Sequence, residues 1–194
     1  MGKKLFKNAV CISHNIISQV LKQGDIAVDA TCGRGNDTLF IAGLVGEKGK
    51  IYGFDIQKEA IESTRVLLKS NNLADQVILI NDDNRKMASY IDERPGVIMF
   101  NLGYLPDGDH RIKTNGDTTV EALKAAINLL DDEGIITIVI YPGHAGGLEE
   151  LTAVETYLAG LSQRFFEVSE IRFINQINSP PQIIIVQKIL GGAK

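Results

Sequence analysis

The sequence predicts an α/β fold built on a mostly parallel, seven-stranded sheet with helices on both faces. Short apolar runs rich in Ile and Val alternate with longer segments of helical periodicity. Polar residues recur just past the first four runs, at Asp29, Asp55, Asp82 and Asn101. The C-terminal strand ends of a parallel sheet are where such folds gather ligands. The last two apolar runs have no helical segment between them, so they close the sheet as an antiparallel hairpin.

The elements follow in order. Residues 13–22 read as a short helix, with Ser13 as its cap, Ile16, Ile17, Val20 and Leu21 apolar, and Gly24 ending it. The first strand spans 26–30. The next helix spans 37–45, with Asn36 or Asp37 as its cap. A strand at 50–55 precedes a helix at 58–70 whose buried face is Ala60, Ile61, Val66, Leu67 and Leu68. Val77 to Ile80 is a strand, 85–91 a short helix, and Val97 to Phe100 a fully buried strand. Residues 101–116 form a long loop, which in a compact domain usually carries function. A helix at 117–130, a strand at 135–140 and a helix at 148–160 complete the alternation. Residues 165–174 and 183–189 are the hairpin strands, joined through Asn178-Ser179-Pro180-Pro181.

Composition narrows the function. The chain has 194 residues, 20 Lys and Arg against 24 Asp and Glu, and a net charge of −4. Residues 1–194 read as a single domain in which 1–23 form an N-terminal helical extension. No apolar run is long enough to span a membrane, and no apolar segment follows the basic N-terminus as in a signal peptide. A cytoplasmic location is expected. Two cysteines, Cys11 and Cys32, make neither a disulfide framework nor a metal-ligand set, so no metal is expected. The acidic balance weighs against an extended nucleic-acid surface but leaves room for a local one.

The densest signal is Asp29-Ala30-Thr31-Cys32-Gly33-Arg34-Gly35-Asn36-Asp37-Thr38. An apolar strand meets an acid, a Gly-x-Gly turn and a helix start. Glycines let a ligand approach the backbone, and the helix start offers N–H donors. Asp55, some 20 residues on, suits both hydroxyls of a ribose. Thr38, however, stands where a dinucleotide fingerprint needs its third glycine, and Asp29 would repel a pyrophosphate. A ligand with a cationic amino group, a ribose and no phosphate fits better. S-adenosylmethionine (SAM) is such a ligand, and S-adenosylhomocysteine (SAH) is its demethylated product. The expected contacts are Asp29, Thr31, Gly33, Gly35, Asn36, Asp37 and Thr38 at the turn. Asp55, Ile56 and Gln57 are expected after the second strand, Asp82 and Asp83 after the third, and Asn101 after the fourth.

Two later loops hold candidates for the chemistry. Asn101-Leu102-Gly103-Tyr104-Leu105-Pro106 leaves the fourth strand. Enzymes that methylate exocyclic nitrogens often carry Asn/Asp-Pro-Pro-Tyr/Phe there; Leu102-Gly103 replaces the two prolines. Asn101 would accept hydrogen bonds from an amino group and Tyr104 would stack on a base. Tyr141-Pro142-Gly143-His144 leaves the fifth strand, and neutral His144 is a candidate general base near pH 7, with Tyr141 supporting the same pocket. His14, Leu105, His110, Arg111 and Lys113 are expected to meet substrate, although His14 also fits a structural role at a helix start. Arg34, Arg111, Lys113 and the Lys3/Lys4/Lys7 cluster are candidates for phosphate contacts. Cys32 is expected to pack in the turn, not to act as a nucleophile.

With these segments read, the chain resembles the small bacterial rRNA-methylase-like proteins of the MnmM/YtqB type, over nearly its whole length. Asp83-Asn84 departs from the Gly-His pair expected after the third strand. The resemblance implies a Rossmann-like class I SAM-dependent methyltransferase fold. It implies methylation of the amine of 5-aminomethyl-(2-thio)uridine at a tRNA wobble position, giving 5-methylaminomethyl-(2-thio)uridine. The implied partner is the tRNA anticodon stem-loop, and a homodimer is expected. Other readings stay open: a SAM-dependent enzyme acting on rRNA or a small amine, an NAD(P)-binding oxidoreductase, or a non-catalytic subunit of the same fold.

Overall fold

The computed structural model describes residues 6–103 and 115–189. Its elements are α1 (Ala9–Val20), β1 (Ile26–Asp29), α2 (Asn36–Val45), β2 (Lys50–Phe54), α3 (Lys58–Ser70) and β3 (Val77–Ile80). A 3-10 segment at Asn84–Ser89 follows, then β4 (Val97–Asn101), α4 (Gly116–Leu129), β5 (Ile135–Ile140), α5 (Gly147–Ala159), β6 (Phe166–Ile171) and β7 (Gln182–Lys188). The sheet order is β3-β2-β1-β4-β5-β7-β6. β1 to β5 run parallel, and β7 is antiparallel to both β5 and β6. This is the mostly parallel, seven-stranded sheet with a closing hairpin that the alternation predicted.

Alternate residues of the central strands feed two cores. Val28, Phe54, Ile98 and Phe100 point to the face that α4 and α5 cover. Ala27, Ile51, Val97 and Met99 point to the other, under α1 and α2. Both sides of the central strands are therefore dry, which is why β4 and β5 read as unbroken apolar runs. In α3 the buried residues are Ala60, Ile61, Thr64 and Leu68, while Val66 is exposed. That helix turns Thr64, not Val66, inward, because the 60-64-68 spacing defines one stripe.

The first helix starts earlier than its sequence pattern indicated. Asn8, not Ser13, is its cap, and the Asn8 side chain accepts from the Cys11 N–H at 2.8 Å. Ser13 lies inside the helix, fully buried, and donates its hydroxyl to Thr137 of β5 at 2.9 Å. Ile17 is fully buried nearby; a side chain so placed contributes about 2 kcal/mol. α1 is thus sealed onto the sheet, with its N-terminal half beside the C-terminal edge of β5.

At α2 the cap is Gly35, in the left-handed region at φ 83°, and no side chain caps the helix. Asn36 and Asp37, the expected caps, fall in the first turn. Thr64 of α3 explains the glycine: a Cβ at Gly35 would lie 2.9 Å from Thr64. A second close approach sets Gly53 in β2, where a Cβ would come within 2.7 Å of Cys32 Sγ. The turn after β1 therefore lies flat across the end of β2, and the Cys32 N–H donates to the Phe54 carbonyl at 2.9 Å.

Candidate active site

A cleft of about 890 Å3 opens across the C-terminal ends of β1 to β5, large enough for a nucleoside-sized ligand. Its position beside the β1–β4 pair is the switch point of the sheet order, where parallel α/β folds place their ligands.

Two carboxylates hold the glycine turn in shape. Asp29, at the end of β1, is fully buried. It accepts the Thr38 hydroxyl at 2.6 Å and the Thr31 N–H at 3.1 Å. Burial, then the charge of Asp37, raises its pKa to about 7 against these two donors. Asp55 accepts the Gly33 N–H and the Gln57 N–H, each at 2.9 Å. Burial raises its pKa as well. The carboxylate of Asp55 has acceptor capacity left on both oxygens.

Asp37 begins a second polar group. Asn101 donates from Nδ2 to Asp37 Oδ2 at 2.8 Å and accepts at Oδ1 from the Tyr141 hydroxyl at 2.9 Å. The Asn101 N–H donates to Thr31 Oγ1 at 2.8 Å. Burial, then the Asp37 charge, pushes the Tyr141 phenol up, so it stays a neutral donor. These partners fix the Asn101 amide: a carboxylate only accepts, so Nδ2 faces Asp37 and Oδ1 faces Tyr141. Asn101 keeps a further lone pair on Oδ1, at the wall of the cleft. That is an acceptor for an N–H donor.

Thr31, Gly33, Asn36, Asp37, Asp55 and Ile56 line the cleft, and so do Gln57, Asp82, Asp83 and Asn101. Ile56 is 57% exposed there, an apolar surface suited to a flat ring. Gly35 and Thr38 shape the turn from behind. Asp82 is already engaged: Lys86 Nζ, the Tyr90 hydroxyl and the Asp83 N–H donate to it within 2.8 Å. Those donors hold its pKa down to about 2. Asp83 caps the 3-10 segment and pairs with Arg85.

His14 does not line the cleft; it faces Asp37, and it is Val10 of the same helix and the cap residue Asn8 that reach the cleft. His144 lines the cleft, with Nδ1 3.2 Å from the Ala145 carbonyl. A carbonyl only accepts, so in the neutral ring Nδ1 carries the hydrogen and Nε2 the lone pair. Tyr104, Leu105, His110, Arg111 and Lys113 lie outside the described residues. Asn84 was missed: its Nδ2 donates to the Ala30 carbonyl at 2.9 Å, tying the end of β1 to the segment after β3. The Asp-Asn sequence after an apolar strand was the available signal. Among the described residues no His, Cys, Asp and Glu cluster could hold a metal ion.

The site suits a cation with a ribose. Three carboxylates, Asp29, Asp37 and Asp55, gather at one end of the cleft or just behind it, where a pyrophosphate would be repelled and an ammonium or sulfonium welcomed.

The chain is similar to known proteins over most of its length. The family model described as "Putative rRNA methylase" matches residues 51–187. A "tRNA (mnm(5)s(2)U34)-methyltransferase, chloroplastic" from Arabidopsis thaliana is 39% identical over 192 residues, spanning 94% of this chain and 70% of that protein. A crystal structure described as a putative rRNA-methylase from Clostridium thermocellum is 49% identical, with a TM-score of 0.92, covering 95% of this chain and 99% of that one. A second, described as a putative methyltransferase from Streptococcus mutans in complex with SAH, is 36% identical over the same shares, with a TM-score of 0.86. The acid-lined cleft thus sits on a framework that such proteins share, and this chain belongs to the "Putative rRNA methylase" family of SAM-dependent methyltransferases.

Proposed function

We propose that this enzyme methylates the side-chain amine of 5-aminomethyl-(2-thio)uridine at the wobble position of tRNA, using SAM. The observation that carries the reading is the Asn101 amide, oriented by Asp37 and Tyr141 to offer an acceptor at the cleft wall. An amine donor fits that acceptor, and the similarity to the Arabidopsis thaliana tRNA methyltransferase supports the substrate.

SAM, when bound, supplies an electrophilic methyl group on a sulfonium. In the cofactor half, Asp55 would accept from the ribose hydroxyls and Ile56 would pack on the adenine. Asp29 would face the positive charge with the turn of Thr31, Gly33, Asn36 and Asp37. In the other half Asn101 Oδ1 accepts an N–H of the target amine and aims its lone pair. A primary alkyl amine is largely protonated at neutral pH, and only the neutral form attacks. His144, which lines the cleft, is the residue assigned to take that proton. Holding amine and methyl in line supplies most of the acceleration. Tyr104 is the proposed stacking surface for the displaced base. Leu105, His110, Arg111, Lys113 and Arg34 are proposed contacts to the anticodon stem-loop.

Among the described residues no helix is long and apolar enough to cross a membrane; a cytoplasmic location is proposed on the substrate. A homodimer through β6 is the proposed assembly. β6 is an edge strand, Val168 and Phe165 are exposed on or beside it, and open edges recruit partners. Sedimentation of the protein and of Val168→Lys tests it, and a monomer at every concentration overturns it.

The functional test is mass spectrometry of nucleosides from tRNA carrying 5-aminomethyl-2-thiouridine after incubation with enzyme and SAM. One added methyl on that nucleoside is expected. An unchanged nucleoside, with SAM bound, overturns the wobble assignment and redirects the test to rRNA and small amines.

A further inference from the structure

We infer that His14, on the helix preceding the sheet, is a positioning residue for methyl transfer that acts on Asn101 through Asp37. This rests on the amine-methylation reading above and replaces the direct substrate contact expected from the sequence.

Three contacts make the relay. His14 Nε2 lies 2.7 Å from Asp37 Oδ1. Asp37 Oδ2 lies 2.8 Å from Asn101 Nδ2. On its flat face, the His14 ring stacks on Phe40 at 3.8 Å between centroids and 5° between planes. The Asp37 side chain is 10% exposed and the His14 side chain 23%, so both are largely buried, Asp37 in the cleft wall and His14 behind it. A carboxylate only accepts, so the His14 nitrogen facing it carries the hydrogen.

Asp37 alone would orient Asn101 loosely. A carboxylate held at one oxygen can rotate about its last torsion, which is broad. His14 takes the second oxygen and is itself held by the Phe40 stack. The Oδ2 direction is then set, and with it the Asn101 amide. Tyr141 closes the far end of the chain at Asn101 Oδ1. The neighbouring charge is Asp29, which adds no competing donor to Asp37; it is held by Thr38 and Thr31. α1, which the fold alone would treat as an extension, thereby becomes part of the machinery that aims the nucleophile.

The test uses the full chain. His14→Phe keeps a ring against Phe40 and removes the donor. It should lower kcat on the tRNA about tenfold, the scale of one hydrogen bond to a charged group, with the tRNA KM and the SAM Kd within about twofold. His14→Gln places an amide nitrogen near the lost Nε2 and should restore part of kcat. Combined with Asp37→Asn, His14→Phe should add no further loss, because both act on one chain. Independently of turnover, 15N spectra should show the Asn101 side-chain amide protons exchanging faster in His14→Phe than in the wild type. A wild-type kcat in His14→Phe overturns the relay. So does a raised tRNA KM at unchanged kcat, a loss that multiplies with that of Asp37→Asn, or unchanged amide exchange. If the wild type methylates no tRNA, the proposed function fails while the exchange measurement still decides the relay.

Discussion

Asp29 and Thr38 lie nine positions apart and are joined by a 2.6 Å hydrogen bond in the buried floor of the cleft. The bond crosses from the end of β1 to the first turn of α2, so the intervening glycine loop is closed at its base. It also opposes, without cancelling, the burial and the Asp37 charge that lift the Asp29 pKa to about 7.

That raised pKa makes SAM binding pH-dependent. Below pH 7 the unliganded protein holds Asp29 largely protonated, and a cationic ligand must displace the proton. The SAM Kd should fall by up to about tenfold per pH unit as pH rises toward 7, then level off. The stability of the free protein runs the other way. Asp29 binds its proton more tightly folded than unfolded, so its contribution is complete below the unfolded pKa of about 4 and is lost as pH rises through about 7. Asp29→Asn should flatten both profiles. Calorimetric titration of SAM and thermal melts between pH 5 and 8.5 check this, and a Kd that does not vary with pH rules it out.

Gly35→Ala should unfold the turn. The residue sits at φ 83°, where a Cβ costs about 1–2 kcal/mol. Thr64 at 2.9 Å leaves no room for the added carbon, and overpacking typically costs about 1–3 kcal/mol more. A lowered melting temperature together with weakened SAM binding is expected. Thr64→Ala in the same chain should recover only the side-chain share of the clash, because the Thr64 Cα itself would lie 2.9 Å from the added carbon, and not the cost of the left-handed backbone.

The glycine turn, the sheet and the hairpin were legible because each leaves a local pattern. Apolar runs mark β4 and β5, and Gly33 and Gly35 mark the turn. Asn101 was readable because it ends an apolar strand run. What stayed hidden was set by contacts between distant segments. The start of α1 went to Ser13 because its burial against Thr137, 124 positions away, leaves no local trace. The cap of α2 went to Asn36 or Asp37 because Thr64 had to be in place to show why a glycine stands there. The Asp37 carboxylate likewise turns out to serve His14 and Asn101, a pairing no spacing rule anticipates.

Asn101→Ala and Tyr141→Phe should separate in severity. Removing Asn101 takes away the amine acceptor and leaves the Tyr141 hydroxyl and Asp37 Oδ2 unpaired. Turnover should fall by roughly 10²-fold or more, as when a preorganised polar group is lost. Tyr141→Phe removes only one neutral hydrogen bond on Asn101, and a loss of about fivefold is expected. Both variants should still bind SAM, because Asp55 and the Gly33-to-Gly35 backbone are untouched, with Asn101→Ala the more weakened of the two through the Asp37 carboxylate it releases. Single-turnover methylation and titration calorimetry on the same preparations test the ordering. Equal losses, or lost SAM binding in either variant, would place Asn101 chiefly on the cofactor.

Cys32 distinguishes amine methylation from pyrimidine-carbon methylation through a covalent thiolate adduct. Its side chain is buried, and its Sγ lies 3.9 Å from the Asp29 carbonyl. Burial, followed by the Asp29 charge, pushes the thiol well above its ordinary pKa. A nucleophilic cysteine needs the opposite, an exposed thiolate beside positive charge. Native protein treated with iodoacetamide should therefore be modified at Cys11, which is partly exposed, and spared at Cys32. Cys32→Ala should still transfer methyl groups, losing some stability to the small cavity. Abolished transfer in a folded Cys32→Ala protein, or rapid alkylation at Cys32, would point to a covalent route and away from the amine.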